Sequence, residues 1–220
     1  MISQILTQIT SSYWQLITQL GSSSLLLPVL VVSVLTLLFA RQKKAVCLWL
    51  TALTFAVTFT LATKLLFLGW GIGIASLDFT GVSGHTLLST SILPVLFFTI
   101  GGVVRPKFKS IGLWFGLLLA AGVGVSRVVL GMHSISEVIA GWLLGLIVCS
   151  VAIYAINNLR QGFAYIQLIV LSLLLIFGAT APNYIPAHDM SIKLALYLSG
   201  HDKPFTRSHF VSAKTNTELK

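Results

Sequence analysis

Apolar residues occur along the chain in long runs that alternate with short polar or basic stretches. A helix needs roughly 20 apolar residues to cross the hydrocarbon core of a bilayer, and six runs approach or exceed that length. These predicted spans cover residues 25–40, 45–69, 86–104, 110–128, 138–156 and 163–181. The pattern therefore predicts an all-α fold, a polytopic membrane helix bundle with about six transmembrane helices.

The segments outside these runs divide the chain into three parts. Residues 1–24 mix polar and apolar side chains and are expected to form an N-terminal segment at the membrane interface. Residues 25–181 are expected to form the transmembrane domain, whose short first span is also compatible with a start near Leu16. Residues 182–220 are expected to form a C-terminal tail, and an alternative topology leaves 163–181 only partly across the membrane.

Charge is sparse and unevenly placed. Charged residues make up 9% of the chain, whereas an average soluble domain contains about 25%. The net charge of +9 does not indicate nucleic-acid binding, because the basic residues stand between apolar runs rather than on a polar face. Those that follow the first, third and fifth spans are Arg41, Lys43, Lys44, Arg105, Lys107, Lys109 and Arg160. The positive-inside rule places these loops in the cytoplasm, so the loops 70–85 and 129–137 and the tail are expected outside a bacterial inner membrane.

Ionisable residues within or at the edges of spans are costly and point to a function. Six of them fall in the predicted outer half of the bundle: Lys64, Asp78, His85, Arg127, His133 and Glu137. Asp78 is most simply a loop acid, and Lys64 is compatible either with a site or with a residue that snorkels to the headgroups. The helix ends therefore bring a group of polar residues to one surface of the bundle.

His133 and Glu137 are four residues apart at the start of the predicted fifth span. Residues at this spacing share one face of a helix. A carboxylate bonded to one ring nitrogen of a histidine fixes the tautomer and leaves the other nitrogen available for attack. The pair therefore predicts an oriented, nucleophilic histidine.

The ends of two further spans add groups that suit an anion. Ser83, Gly84 and His85 open the third span, and the amides at a helix N-terminus favour a negative group, which glycine allows to come close. Ser126 and Arg127 close the fourth span, and the arginine offers a planar fork for phosphate oxygens. With a second histidine as acid, the set predicts a phosphoryl-transfer site that needs no metal.

At these residues the sequence resembles the type 2 phosphatidic acid phosphatase (PAP2) superfamily. Its third signature, S-R-x5-H-x3-D, is similar to Ser126-Arg127-x5-His133-x3-Glu137. Its second signature, P-S-G-H, is similar to Val82-Ser83-Gly84-His85. The order of the signatures and the span between them also match, so the resemblance covers roughly residues 45–156 as a PAP2-like core.

The resemblance implies a role for each residue. His133 would attack phosphorus and form a phosphohistidine, Glu137 would orient His133, and His85 would protonate the leaving oxygen. The residues that would hold the phosphoryl oxygens are Lys64, Ser83, Gly84, Ser126 and Arg127. The resemblance implies neither a metal nor another cofactor.

Three departures from the signatures stand in this sequence. Lys64 matches the lysine of the first signature, K-x6-R-P, but the arginine and proline positions hold Gly71 and Ile72. Val82 replaces the proline of the second signature, and Glu137 replaces the aspartate of the third. The absent arginine removes one clamp on the phosphate, and loss of such a donor typically costs on the order of 3 kcal/mol.

These observations predict a metal-independent membrane phosphatase that hydrolyses a lipid phosphate or diphosphate, of the class of phosphatidic acid, phosphatidylglycerol phosphate or undecaprenyl diphosphate. The expected partners are that substrate and the surrounding membrane lipids, with no nucleic acid. Two alternatives stay open within the family: an inactive member that binds an anionic lipid, and a lipid phosphotransferase. A channel or transporter is a further class, although the central thirds of the spans hold mostly Ser, Thr and Gly as polar residues.

Overall fold

The structure, a computed structural model, describes residues 12–156 and 187–208. Its main helices are α1 (Ser23–Phe39), α2 (Lys43–Trp70), α3 (Gly84–Val104), α4 (Lys109–Val129), α5 (Ile135–Ala155) and α6 (Ala187–Ser199). Residues 12–19 are also helical, and short 3-10 helices cover Ala75–Leu77 and Pro106–Phe108. Within these described ranges an isolated bridge between Ile74 and Phe79 is the only β pairing.

Five helices of the described part are long and apolar enough to cross a membrane, and they confirm the predicted fold class, an all-α polytopic membrane bundle. They cover Ser12–Phe39, Lys43–Trp70, Gly84–Gly102, Pro106–Val129 and Ile135–Ala155. The first span begins well before residue 25, in agreement with the earlier start considered near Leu16. The predicted sixth span, 163–181, and the basic residue Arg160 lie outside the described residues.

α3 is the central helix of the bundle and packs most extensively against α4 and α5. Glycines on α4 and α5 allow the backbones of these two helices to come close to α3. A Cβ atom at Gly116 on α4 would lie 2.5 Å from Cα of Pro94, and one at Gly145 on α5 would lie 2.6 Å from Cβ of Thr90. Small residues four apart allow helix backbones to approach in this way. The spacing Gly112-x3-Gly116 and Gly141-x3-Gly145 therefore serves helix packing against α3.

The C-terminal segment lies against the end of α2. Backbone N–H of Phe205 donates to the carbonyl of Leu68 at 2.9 Å, and Nδ1 of His201 lies 2.8 Å from the carbonyl oxygen of Gly69. A Cβ atom at Gly69 would lie 3.2 Å from the carbonyl oxygen of Ala195 on α6, so this approach also needs a small residue. The part of the tail from 187 to 208 is thus folded onto the bundle at the end where α3 and α5 begin.

Candidate functional site

A cavity of about 700 Å³ lies where α2 and α4 end and α3 and α5 begin. Five residues of the site predicted from sequence line it: Lys64, Gly84, His85, Arg127 and His133. They come from α2, α3, α4 and the segment before α5, so separate parts of the chain converge on one space. A sixth predicted residue, Glu137, is fully buried directly behind His133.

His133 is held by Glu137 through a hydrogen bond of 2.6 Å between Nδ1 and Oε2. The contact was expected from two residues on one helix face, but α5 begins only at Ile135, with Ser134 as its N-cap. Glu137 instead forms a capping box, in which its side chain turns back toward the N-cap and accepts from the backbone N–H of Ser134 at 3.2 Å. The same turn brings the carboxylate to His133, which precedes the helix.

Glu137 is fixed from a second direction by the loop before α3. Thr80 donates to Oε1 with its backbone N–H at 2.7 Å and with its hydroxyl at 2.5 Å. A buried carboxylate is stable only when charged or polar groups satisfy its oxygens. The loop therefore completes the support of the His133 ring, although the signatures do not include Thr80.

Burial lowers the pKa of His133 below its usual value, and the hydrogen bond and charge of Glu137 only partly oppose this effect. His133 is therefore neutral at neutral pH. A neutral imidazole whose Nδ1 donates to a carboxylate has an unprotonated Nε2, the form in which it acts as a nucleophile.

The N-terminus of α3 forms another side of the cavity. Ser83 is its N-cap residue but makes no side-chain capping bond, so its hydroxyl does not satisfy the amides of the first turn. Backbone N–H of Ser83 donates to the carbonyl of Glu137 at 3.2 Å. A Cβ atom at Gly141 would lie 2.9 Å from the Ser83 carbonyl. These contacts fix the start of α3 relative to the start of α5, and hence Gly84 and His85 relative to His133.

Lys64 turns toward this helix start. Its Nζ lies 3.9 Å from the place where a side chain at Gly84 would begin. Gly81 adjoins the stem of the lysine, because a Cβ atom at Gly81 would lie 2.9 Å from Cγ of Lys64. Lys64 therefore lines the cavity rather than pointing along the outer surface.

Arg127 enters the cavity from the end of α4. Its Nη1 donates to the hydroxyl of Thr18 at 3.1 Å, so the helical residues 12–19 support the guanidinium. Its Nε is buried and has no hydrogen-bond partner among the described residues. Buried donors in proteins are nearly always satisfied. An anion in the cavity would provide an acceptor for Arg127.

Besides Glu137, two predicted residues do not line the cavity, Ser83 and Ser126. The Ser126 hydroxyl is buried and donates to the carbonyl of Val123 at 2.6 Å, within its own helix. The Ser83 hydroxyl is buried and accepts from the hydroxyl of Thr86 at 2.9 Å. Both side chains are thus engaged locally, and their predicted part in holding phosphate stays a prediction.

Arg207 also lines the cavity, and no motif indicated it. Its Nη2 lies 2.6 Å from Oε2 of Glu137, and its Nη1 lies 2.7 Å from Oδ2 of Asp78. In the sequence it was one of several basic residues in a mildly basic tail, with no spacing that separated it from the others. Its place in the site depends on the folding of the C-terminal segment over α2.

Most of the remaining wall is apolar. The residues concerned come from α2, α3, α6 and the segments beside His133 and Arg207: Val57, Leu61, Phe67, Leu68, Leu88, Met132, Ile192, Pro204 and Phe205. Val57 lies seven residues before Lys64 on α2, which is about 10 Å along a helix. The cavity therefore has a cationic end at the ends of the helices and an apolar part that extends along α2.

Fold and site together define a polytopic membrane protein in which a histidine–carboxylate pair faces a group of cations in one cavity. The family model of the PAP2 superfamily matches residues 68–161. An uncharacterized 22.5 kDa protein in the cps region of Klebsiella pneumoniae is 34% identical over 208 residues, which cover 89% of this chain and 96% of that protein. No solved structure matches the chain.

The chain belongs to the PAP2 superfamily, as the two signatures predicted. Membership indicates a phosphatase-type function, because this superfamily generally hydrolyses phosphoesters. The matched residues begin after Lys64, so the assignment of Lys64 to the site rests on its position in the cavity.

Proposed function

We propose that the protein is a membrane phosphatase that hydrolyses a lipid phosphate or diphosphate through a phosphohistidine intermediate, without a metal. One observation carries this proposal above the others. His133, held by Glu137 at 2.6 Å, lines the same cavity as His85, Lys64 and Arg127. A nucleophile, a second histidine and two cations are the groups that a metal-free phosphoryl transfer requires.

In the first step, Nε2 of His133 attacks phosphorus while the bond from phosphorus to the leaving oxygen breaks. His85, in its imidazolium form, gives a proton to that oxygen and becomes neutral, so the product leaves as an alcohol or as a lipid monophosphate. In the second step, His85 takes a proton from water, which attacks the phosphohistidine and releases inorganic phosphate and neutral His133. Lys64, Arg127 and the first amides of α3 stabilise the charge on the equatorial oxygens in both steps.

The apolar part of the cavity supports a lipid as the substrate. A phosphate at the cationic end would lie beside Lys64, while a hydrocarbon chain would lie along α2 toward Val57. Burial of a chain is worth roughly 0.8 kcal/mol per methylene group, which favours lipid phosphates over small soluble esters. We also propose that this end of the bundle faces the exterior of a bacterial inner membrane, since basic loops lie at the opposite end.

The test is phosphate release by purified protein in detergent from phosphatidic acid, phosphatidylglycerol phosphate and undecaprenyl diphosphate, with a chelator present. We expect release from at least one of them and none from His133→Asn, whose side chain keeps a polar group in place. Arg105→Gln is the matched control, since Arg105 is exposed at the other end of α3. Turnover by His133→Asn equal to that of the wild type would contradict the mechanism.

The same assay separates the two family alternatives. A phosphorylated lipid acceptor in place of free phosphate would identify a phosphotransferase. Binding of orthovanadate by the wild type without turnover of any of the three lipids would identify a member that binds anionic lipids without hydrolysing them.

A further inference from the structure

Among the described residues that line the cavity, Arg207 is the charged one to which the proposed mechanism gives no role. It belongs to the C-terminal segment after α6, and 36% of its side chain is exposed. Docking of this segment does not depend on it alone, since the backbone of Phe205 and the ring of His201 bind the end of α2. The guanidinium lies in the wall of the cavity, where it pairs with Glu137 and Asp78.

The guanidinium is adjacent to the proposed nucleophile. Nη2 of Arg207 and Nδ1 of His133 each lie 2.6 Å from the same atom, Oε2 of Glu137. Two groups that share one acceptor are neighbours, so a phosphoryl group beside the His133 ring is also near Arg207. Lys64 and Arg127 line the same space.

Glu137 does not require Arg207 as a hydrogen-bond donor. Its Oε1 accepts from the backbone N–H and hydroxyl of Thr80, and its Oε2 accepts from His133 and from the N–H of Ser134 as well as from Arg207. An ionised carboxylate has about four acceptor sites, so one of these five donors is in excess. A guanidinium also has five N–H groups, and its contacts with Glu137 and Asp78 leave others for a ligand.

The backbone at Gly71 is the place where the C-terminal segment that carries Arg207 contacts the end of α2. The resemblance led us to expect an arginine there, but Gly71 has a left-handed φ of 70° and ends α2. A Cβ atom at Gly71 would lie 2.8 Å from the ring of Phe205. The C-terminal segment therefore lies against this backbone, and Arg207 follows two residues later.

We propose that Arg207 binds the phosphoryl group directly, as a third cationic ligand beside Lys64 and Arg127. The identity of the anion as the phosphoryl group of a substrate rests on the proposed function. The presence of an anion site that includes Arg207 does not depend on the proposed function.

The experiment measures both turnover and binding of orthovanadate for Arg207→Gln, Arg207→Lys, Arg207→Ala and the control Arg105→Gln. We expect Arg207→Gln to lower kcat/KM by on the order of 10²-fold and to weaken vanadate binding, as for loss of one transition-state donor. Arg207→Lys should recover part of both, because it keeps the charge without the planar fork. Millimolar guanidinium ion, with urea as the neutral comparison, should restore part of the turnover of Arg207→Ala.

The outcomes are distinct. If the wild type turns over a lipid phosphate and Arg207→Gln equals it in turnover and in vanadate affinity, the role of Arg207 is wrong and the proposed function stands. If Arg207→Ala loses activity together with thermal stability and guanidinium restores nothing, Arg207 is structural and the proposal is also wrong.

If the wild type hydrolyses none of the lipids, the proposed function fails. Vanadate affinity then decides for Arg207: loss in Arg207→Gln supports the proposal, whereas equal binding or no binding by the wild type overturns it.

Discussion

The cavity has two walls of different origin. One wall, the helix-built wall, is made by helix ends. α3 supplies His85, α4 supplies Arg127, and His133 lies just before the start of α5. The other is built from the C-terminal segment, which lies on α2 and supplies Arg207. Close packing of helix backbones fixes the first wall. The second wall is held by the hydrogen bonds of Phe205 and His201, by the close approach of the segment to Gly69 and Gly71, and by the ion pairs of Arg207. Substitutions in the first wall should therefore affect chemistry most strongly, and those that release the second wall should affect it less.

After replacement of His133 itself, the largest effect is expected for Glu137→Gln, which keeps the shape but removes the charge. An amide presents either its oxygen or its NH₂ to Nδ1, so the tautomer of His133 is no longer enforced, and loss of an orienting carboxylate of this kind lowers kcat by roughly 10⁴-fold in a well-studied triad. We expect a loss on the order of 10³–10⁴-fold in phosphate release under substrate saturation.

Glu137 has five donors, and its replacement also perturbs folding. The control is therefore the fraction of monodisperse protein in detergent, measured for wild type and variant at the same concentration. A well-folded Glu137→Gln protein with activity within threefold of the wild type (roughly 0.7 kcal/mol) would show that the helix-built wall does not orient the nucleophile.

Arg127→Lys is expected to have the next largest effect. Lysine keeps the charge but has no planar fork and no equivalent of the buried Nε, so one donor to the phosphoryl oxygens is lost. The expected decrease in kcat is on the order of 10²-fold. The measurement is steady-state phosphate release, and Arg105→Lys at the other end of the bundle should match the wild type. Equal kcat for Arg127→Lys and wild type would remove Arg127 from the transition-state contacts.

Gly141→Ala tests the packing that positions the helix-built wall. Its new methyl would lie 2.9 Å from the carbonyl oxygen of Ser83, so α5 and α3 must separate. Overpacking of this kind typically costs about 1–3 kcal/mol, and we expect a lower melting temperature and a decrease in kcat of about tenfold. Gly122→Ala is the matched control, because its methyl would lie 3.8 Å from Ile17, an ordinary contact. A similar response of both variants would contradict the importance of the contact between α3 and α5.

The fold was predictable because each helix that crosses a bilayer needs a run of roughly 20 mostly apolar residues. Runs of apolar residues predicted the five spans found in the described residues. The fifth span was predicted, but α5 begins three residues before the predicted start. The apolar run begins near Val138, but the capping box of Ser134 and Glu137 starts the helix at Ile135. Local hydrogen bonds, and not hydropathy, determine that boundary.

The helix-built wall was predictable for a similar reason. His85, Arg127 and His133 stand at the ends of spans, so topology alone brings them to one surface. The direction of short side chains was not predictable, and the hydroxyls of Ser83 and Ser126 are engaged within their own helices. Arg207 was missed because its position depends on contacts with residues about 130 positions away in the sequence, which leave no periodic pattern.

The smallest effect is expected for His201→Ala, which weakens the docking of the second wall. The change removes the contact of 2.8 Å with the carbonyl of Gly69 and the edge-to-face contact with Phe205, but it leaves Arg207 and all helix-built groups in place. Loss of one hydrogen bond typically costs about 1 kcal/mol, so the segment stays docked in most molecules. We expect KM for the lipid phosphate to rise by at most about fivefold, the limit that a loss of about 1 kcal/mol sets, with kcat nearly unchanged. His201 is exposed and does not line the cavity, so it can affect the reacting atoms only through the C-terminal wall. A kcat loss as large as that of Arg127→Lys would therefore show that this wall is as important for the chemistry as the helix-built wall.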